Sequence, residues 1–363
     1  MISKQLHIVV IGAGIMGTSL AYHLQRGQAQ VTLLDKTHTP VDGATANSFG
    51  WITVNPDSPQ AYITLRQQAI PDWHRLDEEL KGQLKLNWSG ALTWRDDPTE
   101  TERMANRLME AGYAVRLIDQ PYIQRMEPHL KKVPFRAMWA EDEGAIDPHL
   151  TLSGLITAAR QAGVSCQLGN EVVSLRVSGS RLTGVLTAHG MISADMVVLA
   201  NGVEATALCQ PLAVHLPLTN SPAILVGFHT ARPFVNRIVS SPSLELRAAS
   251  PALTLCVEEY LDDSIENNPQ AIARRSLDTI KAQWHHAESV ALTSVRVGNR
   301  PIPADGLPII GRISSIDGLY VSVMHAGVTL AAVVGRLIAS ELLSDHEEAL
   351  LTFYRPGRFS YLR

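Results

Sequence analysis

Leu6-His7-Ile8-Val9-Val10-Ile11, followed by Gly12-Ala13-Gly14-Ile15-Met16-Gly17, is the stretch that decides the fold. The apolar, β-branched run reads as a strand buried on both faces. Beyond the glycines, Ile15, Leu20, Ala21 and Leu24 share one face of a helix, and Gly27 is placed to stop it. Val31 to Leu34 predicts a second strand, which ends on Asp35. Strand, GxGxxG turn, helix, strand and terminal acid together make a dinucleotide fingerprint. Gly12 permits the tight turn, Gly14 lets the backbone approach a pyrophosphate, and Gly17 lets helix and strand pack closely. The helix N-terminus offers N–H groups and a partial positive charge to the anion. Asp35 is the expected acceptor for an adenosine ribose.

The rest of the chain narrows the class. A length of 363 residues predicts about two domains. With 45% apolar and 18% charged residues, a disordered, collagen-like or coiled-coil chain is excluded. Lys plus Arg number 31 against 35 acids, so the basic excess of a nucleic-acid binder is missing. Cys166, Cys209 and Cys256 are odd in number and far apart, which gives no disulfide framework and suits a reducing, cytoplasmic compartment. No run of about 18 apolar residues predicts a membrane span. The N-terminal apolar run flows straight into the glycine motif without a cleavage-like site, so it reads as a strand and not a signal peptide.

Residues 60–115 read as helices, with Asp77-Glu78-Glu79 and Thr99 to Arg107 as solvated faces. Leu152 to Ala162 predicts a helix ended by Gly163, and Val164–Leu168, Val172–Val177, Leu182–Ala188 and Met196–Leu199 predict strands. Residues 220–260 are strand-rich, Pro301 to Gly311 reads as a loop, and a strand over Leu319–Val323 precedes an apolar helix from about Val328 to Leu343. The histidines lack metal-ligand spacing, so no metal is expected, and His285-His286 read as surface residues. There is no Ser/His/Asp or paired-carboxylate constellation.

Three later stretches bear on which dinucleotide is bound. Gly144-Ala145-Ile146-Asp147-Pro148, Met196-Val197-Val198-Leu199-Ala200-Asn201-Gly202, and the pattern G-x-R-P-x-x-x-D-G-x-P-x-x-G over Gly298–Gly311 occur in that order. With the N-terminal fingerprint they resemble the D-amino-acid-oxidase-like FAD-dependent oxidoreductases, the group holding glycine oxidase, monomeric sarcosine oxidase and D-amino-acid dehydrogenases. The resemblance implies an α/β fold: a Rossmann-type FAD-binding domain joined to an α+β substrate domain with a mainly antiparallel sheet. It further implies a discontinuous layout, with FAD bound by 1–80, 151–219 and 296–363 and substrate by 81–150 and 220–295.

The same resemblance implies the site. Gly12, Ala13, Gly14, Ile15, Met16, Gly17, Asp35 and Lys36 would hold the FAD, joined by Val172, Ala200, Asn201 and Gly202. Ala44, Thr45, Asn47, Ser48 and Gly50 belong to a small-residue segment that either lies along the cofactor or merely turns the chain. Trp51 stands beside the flavin or the substrate, or is a core aromatic. Gly327, Val328, Thr329 and Leu330 open the last helix, whose N–H groups would face the flavin. His325 either faces the flavin or is a hydrogen-bonded structural histidine. The 43–51 loop has no His or Cys, and Gly298 stands where sarcosine oxidases would carry a flavin-linked Cys, so non-covalent FAD is expected. Arg300 is the candidate clamp for a substrate carboxylate; the alternative is an ion pair with Asp305 or another acid. Glu245, Arg247 and Glu258 are further substrate candidates; acids there either favour a substrate with an extra cationic group or point to solvent.

The activity so implied is oxidation of the C–N bond of a small amino acid or secondary amine, by hydride transfer to flavin N5 and hydrolysis of the imine. The acceptor is oxygen, or a quinone or partner protein as in a D-amino-acid dehydrogenase. A flavoprotein subunit of a hetero-oligomeric dehydrogenase is a further alternative. An NAD-dependent dehydrogenase would leave the C-terminal motif without a purpose.

Overall fold

The computed structural model describes residues 5–39, 43–259, 264–344 and 346–359. The opening unit forms as the sequence predicts: strand His7–Ile11, helix Ile15–Arg26 and strand Gln30–Asp35. These strands lie at the centre of a six-stranded sheet. Its order runs Ile309–Arg312, Leu319–Val323, Met196–Leu199, His7–Ile11, Gln30–Asp35, Ser165–Leu168. All neighbours are parallel except the first pair. The inner strands are apolar and nearly fully buried, as a sheet covered on both faces requires.

Helix Ile15–Arg26 packs against the last helix, Gly327–Ser344, and against Pro148–Ala162. The close approach depends on Gly335, where a Cβ would meet Ser19 Oγ at 2.7 Å; Ser19 Oγ in turn donates to the Ala331 carbonyl. Arg336 fixes the last helix to helix Gln60–Glu79 through two bonds to Asp72, at 2.7 and 2.9 Å. A three-stranded antiparallel sheet is formed by Val172–Ser178, Arg181–Thr187 and Gly190–Ser193.

The second large sheet has eight strands. Its order is Ala291–Pro303, Leu218–His229, Leu253–Glu259, Glu245–Ser250, Ile238–Ser240, Ala91–Thr93, Arg136–Ala140, Val115–Asp119. It is antiparallel apart from the Ile238–Ser240 and Ala91–Thr93 pair. One face carries Leu225, Leu255 and Val257 toward the main core, and the other carries Ile224, Cys256 and Leu246 into a separate core with helix Pro269–Gln283.

Three expectations are corrected. Residues 60–115 are not continuously helical: strand Ala91–Thr93 separates helices Gln60–Glu79 and Pro98–Glu110, because its apolar residues pair across the eight-stranded sheet. Pro301 and Pro303 lie in a strand and not a loop, which they can do because that strand is at the sheet edge. Among the described residues one helix, Gly327–Ser344, is long and apolar enough to cross a membrane by length and composition, but 67% of that span is buried inside the fold as a core helix.

Candidate active site

The six-stranded sheet, the eight-stranded sheet and the amino end of the last helix enclose one cavity of about 1340 Å³. Small-molecule sites usually run to roughly 300–1,000 Å³, so there is room for a dinucleotide and a small substrate together.

The glycine turn forms one end. Gly12 has φ +102°, and a Cβ there would fall 2.6 Å from the Ala200 carbonyl oxygen. A Cβ on Gly17 would meet the Gly12 carbonyl at 1.9 Å, so this glycine packs helix on strand. Gly12, Gly14, Ile15 and Met16 line the cavity, whereas Ala13 is buried behind them. Gly14 has no side chain with which to cap the helix, Thr45 Oγ1 takes the first N–H, that of Ile15, and the first-turn N–H groups beyond it are left for an anion. The Asp35 carboxylate ties the turn together, accepting from Ala13 N at 2.7 Å and from Thr37 N and Oγ1 at 2.9 and 2.7 Å. Lys36 lines this end too, paired with Glu204.

Ala44, Thr45, Asn47, Ser48, Gly50 and Trp51 form another side, and Thr45 Oγ1 accepts from Ile15 N at 3.1 Å. Val172, Ala200, Asn201 and Gly202 complete the wall, where Asn201 Oδ1 is buried with no hydrogen-bond partner among the described residues. From the last helix Gly327, Val328 and Thr329 reach the cavity; Leu330 does not, being fully buried in the core. None of the three cysteines lines the cavity, and a Cβ on Gly298 would come within 3.0 Å of Asn47 Cβ. No group of His, Cys, Asp and Glu among the described residues is arranged to hold a metal.

The eight-stranded sheet supplies the charged wall. Arg300 donates from Nη2 to Ser221 Oγ at 2.9 Å and lies 3.6 Å from Glu259, a largely exposed acid. Asp305 is not its partner, because Arg358 takes that carboxylate at 2.7 Å. His325 is exposed on the cavity, with protein crowded around its ring. That desolvation, with the charges of Arg300 and Arg66, lowers its pKa to about 4, so it is neutral at pH 7. Glu245 lies in the wall and accepts from Ser240 Oγ at 3.1 Å; burial raises its pKa.

Two substrate candidates are corrected. Arg247 does not reach the cavity: its side chain is buried and donates to the carbonyls of Phe49 and Ile146. Glu258 borders the cavity, but its carboxylate turns to Cys256 Sγ at 3.8 Å, on the opposite face of the sheet. Burial and the nearby Glu245 charge push its pKa up to about 7.

Several lining residues escaped the sequence reading. Arg66 is almost fully buried in helix Gln60–Glu79, donating to the Thr53 carbonyl at 3.2 Å and stacking 4.6 Å from the Tyr62 ring centre. A lone arginine among Tyr62, Ile63, Leu65 and Ala69 was its available signal. Glu143 is buried beneath Thr53 and Val54, and desolvation raises its pKa to about 7. Arg95 lines the cavity near Glu245.

The turn whose glycine Cβ positions are blocked, the amino end of helix Ile15–Arg26, Asp35 and the unpartnered Asn201 oxygen fit a dinucleotide such as FAD. The chain is 27% identical to glycine oxidase of Pseudomonas aeruginosa, over 94% of this chain and 95% of that one. It is 26% identical to D-amino acid dehydrogenase of Allorhizobium ampelinum, over 97% of this chain and 100% of that one. The fold superimposes on glycine oxidase from Geobacillus kaustophilus with a TM-score of 0.86 at 20% identity, covering 98% and 99% of the two chains. Residues 7–341 match the profile of the DAO family, described as FAD dependent oxidoreductase. The chain belongs to that family and is an FAD-dependent oxidoreductase.

Proposed function

We propose that the protein oxidises the C–N bond of a small amino acid or secondary amine to an imine that water hydrolyses, with Arg300 receiving the substrate carboxylate. The position of Arg300 carries this reading. Its guanidinium stands in the cavity wall, and a substrate carboxylate can displace the exposed Glu259 from it. Bound FAD supplies the electron sink. Gly12, Gly14 and the first turn of helix Ile15–Arg26 take the pyrophosphate, Asp35 the ribose, and the amino end of the last helix the flavin, without a covalent link. The six-stranded sheet then forms the cofactor side, and the eight-stranded sheet the substrate side. Neutral His325 adds no charge to repel an amine. The glycine oxidase and D-amino acid dehydrogenase relatives support the substrate class.

The test is anaerobic addition of glycine, sarcosine and a panel of D- and L-amino acids to the purified flavoprotein. Bleaching of the flavin bands by one of them is expected, and failure of every C–N compound to bleach them overturns the proposal. Admitting air, or a quinone, then separates an oxidase from a dehydrogenase. Flavin that stays with acid-precipitated protein would contradict the non-covalent link.

A further inference from the structure

The charged wall holds two pairs of opposite charges, and they differ. Arg300 and Glu259 are already partners. Arg95 and Glu245 also line the cavity, but among the described residues neither has an ion-pair partner within 4.0 Å. Arg95 donates to the carbonyl of its neighbour Trp94 at 3.0 Å, and Glu245 accepts from Ser240 Oγ at 3.1 Å.

Strand register brings the two together. Thr93 lies opposite Ser240, and Ser240 lies opposite Glu245. Arg95 follows two residues after Thr93, just beyond the strand, and lines the same cavity as Thr93, Ser240 and Glu245. The two charges are close enough for Arg95 to oppose the effect of burial on Glu245. For the enclosed Glu245 the charged form is costly without a partner, and a ligand ammonium would relieve it, while the half-buried Arg95 keeps its guanidinium open to a ligand carboxylate. Glu258 does not compete for that ligand, because its carboxylate turns to the other face. A group bearing both an ammonium and a carboxylate satisfies both at once.

We propose that Arg95 and Glu245, with Ser240, form a second subsite for the far end of the substrate, and that this end carries its own amino and carboxyl groups. The inference rests on the assignment of Arg300 to the carboxylate at the reacting end. The preferred substrate is then an amino acid whose side chain ends in a second zwitterion.

The experiment is anaerobic flavin reduction in the holoenzyme by four compounds, each as a mixture of stereoisomers. Norleucine, lysine, 2-aminoheptanedioate and 2,6-diaminoheptanedioate carry on the sixth carbon a hydrogen, an ammonium, a carboxylate, or both charged groups. The last should reduce the flavin about 100-fold more efficiently than norleucine, about tenfold for each charged contact, with the other two between. Glu245→Gln should remove the gain from the distal amine, and Arg95→Gln the gain from the distal carboxylate. Equal or better reduction by norleucine, lysine or 2-aminoheptanedioate overturns the proposal, as does unchanged selectivity in both variants. Reduction by glycine or sarcosine but by none of the four also overturns it while leaving amine oxidation standing. No reduction by these four, by glycine or by sarcosine also overturns it, and amine oxidation falls with it only when the wider panel of D- and L-amino acids fails too.

Discussion

Arg247 fastens the backbone of Phe49 to the eight-stranded sheet: its Nε donates to the Phe49 carbonyl at 2.7 Å, and its guanidinium lies 5.3 Å from the Phe49 ring centre. Nη2 of the same side chain donates to the Ile146 carbonyl at 2.9 Å. The loop along the cavity and the connector before helix Pro148–Ala162 thus share one anchor. Gly50 sits at the crossing, where a Cβ would meet the Ile146 carbonyl at 2.7 Å. Replacing Arg247 by Met leaves two buried carbonyls without these donors, at a cost of about 2–4 kcal/mol. Thermal unfolding should show the loss, and flavin content after gel filtration should fall because the loop lines the cavity. Unchanged melting with full flavin would rule out this anchoring role.

Gly12→Ala tests the cofactor cradle. The positive φ strains any other residue, and the new Cβ would lie 2.6–2.8 Å from backbone atoms of Ala200 and Asn201, which cannot rotate aside. The turn must open, so FAD affinity should drop at least about tenfold, equivalent to 1.4 kcal/mol of turn strain. Titration of apoprotein with FAD, followed by flavin fluorescence, measures it. Wild-type affinity in this variant would mean that the turn does not contact the cofactor.

What was legible in the sequence was what is local. The 6–35 unit has its strand pattern, glycines, helix stripe and terminal acid within one short segment, and His7–Ile11, Ile15–Arg26 and Gln30–Asp35 follow it closely. The partner of Arg300 was not local. Asp305 is near in sequence, but Glu259 reaches Arg300 only through the strand Leu218–His229 that lies between them. Glu258 and Glu259 differ by one residue and therefore point to opposite faces of the sheet, which only register decides. Arg247 reads as a substrate-site candidate until Phe49 and Ile146 are folded over it. Glu143 has no periodic signal, since its burial comes from Thr53, Val54 and Tyr113 packing around it.

Glu143 predicts a pH dependence of stability. Burial raises its pKa from 4.5 to about 7, so between those values the native state keeps a proton that the unfolded chain has released. The stabilisation this gives is fully present below about pH 4.5 and is lost as pH rises through 7. Glu127, pushed by burial to about 8, acts with the same sign, so the comparison must be between wild type and a variant. Relative to Glu143→Gln, the wild type should lose about 2–3 kcal/mol between pH 4.5 and 8. Urea denaturation across that range measures the difference. Parallel profiles for the two proteins would show that Glu143 titrates alike in both states.

Arg300→Ala separates substrate binding from cofactor binding. Arg300 sits on the edge strand, hydrogen-bonded to Ser221 and paired with an exposed acid, so little of the fold depends on it. Losing a charge-assisted bidentate contact should raise KM for an amino-acid substrate by about 10- to 100-fold. FAD content and the melting temperature should change little. Arg300→Lys keeps the charge but loses the planar fork and should fall between the two. An amine lacking a carboxylate should bind wild type and Arg300→Ala alike, because it has nothing to offer the guanidinium. Should KM for the amino acid stay unchanged in Arg300→Ala while FAD remains bound, the carboxylate is held elsewhere. Arg66 and Arg95, the other arginines that line the cavity, would then be the groups to replace next.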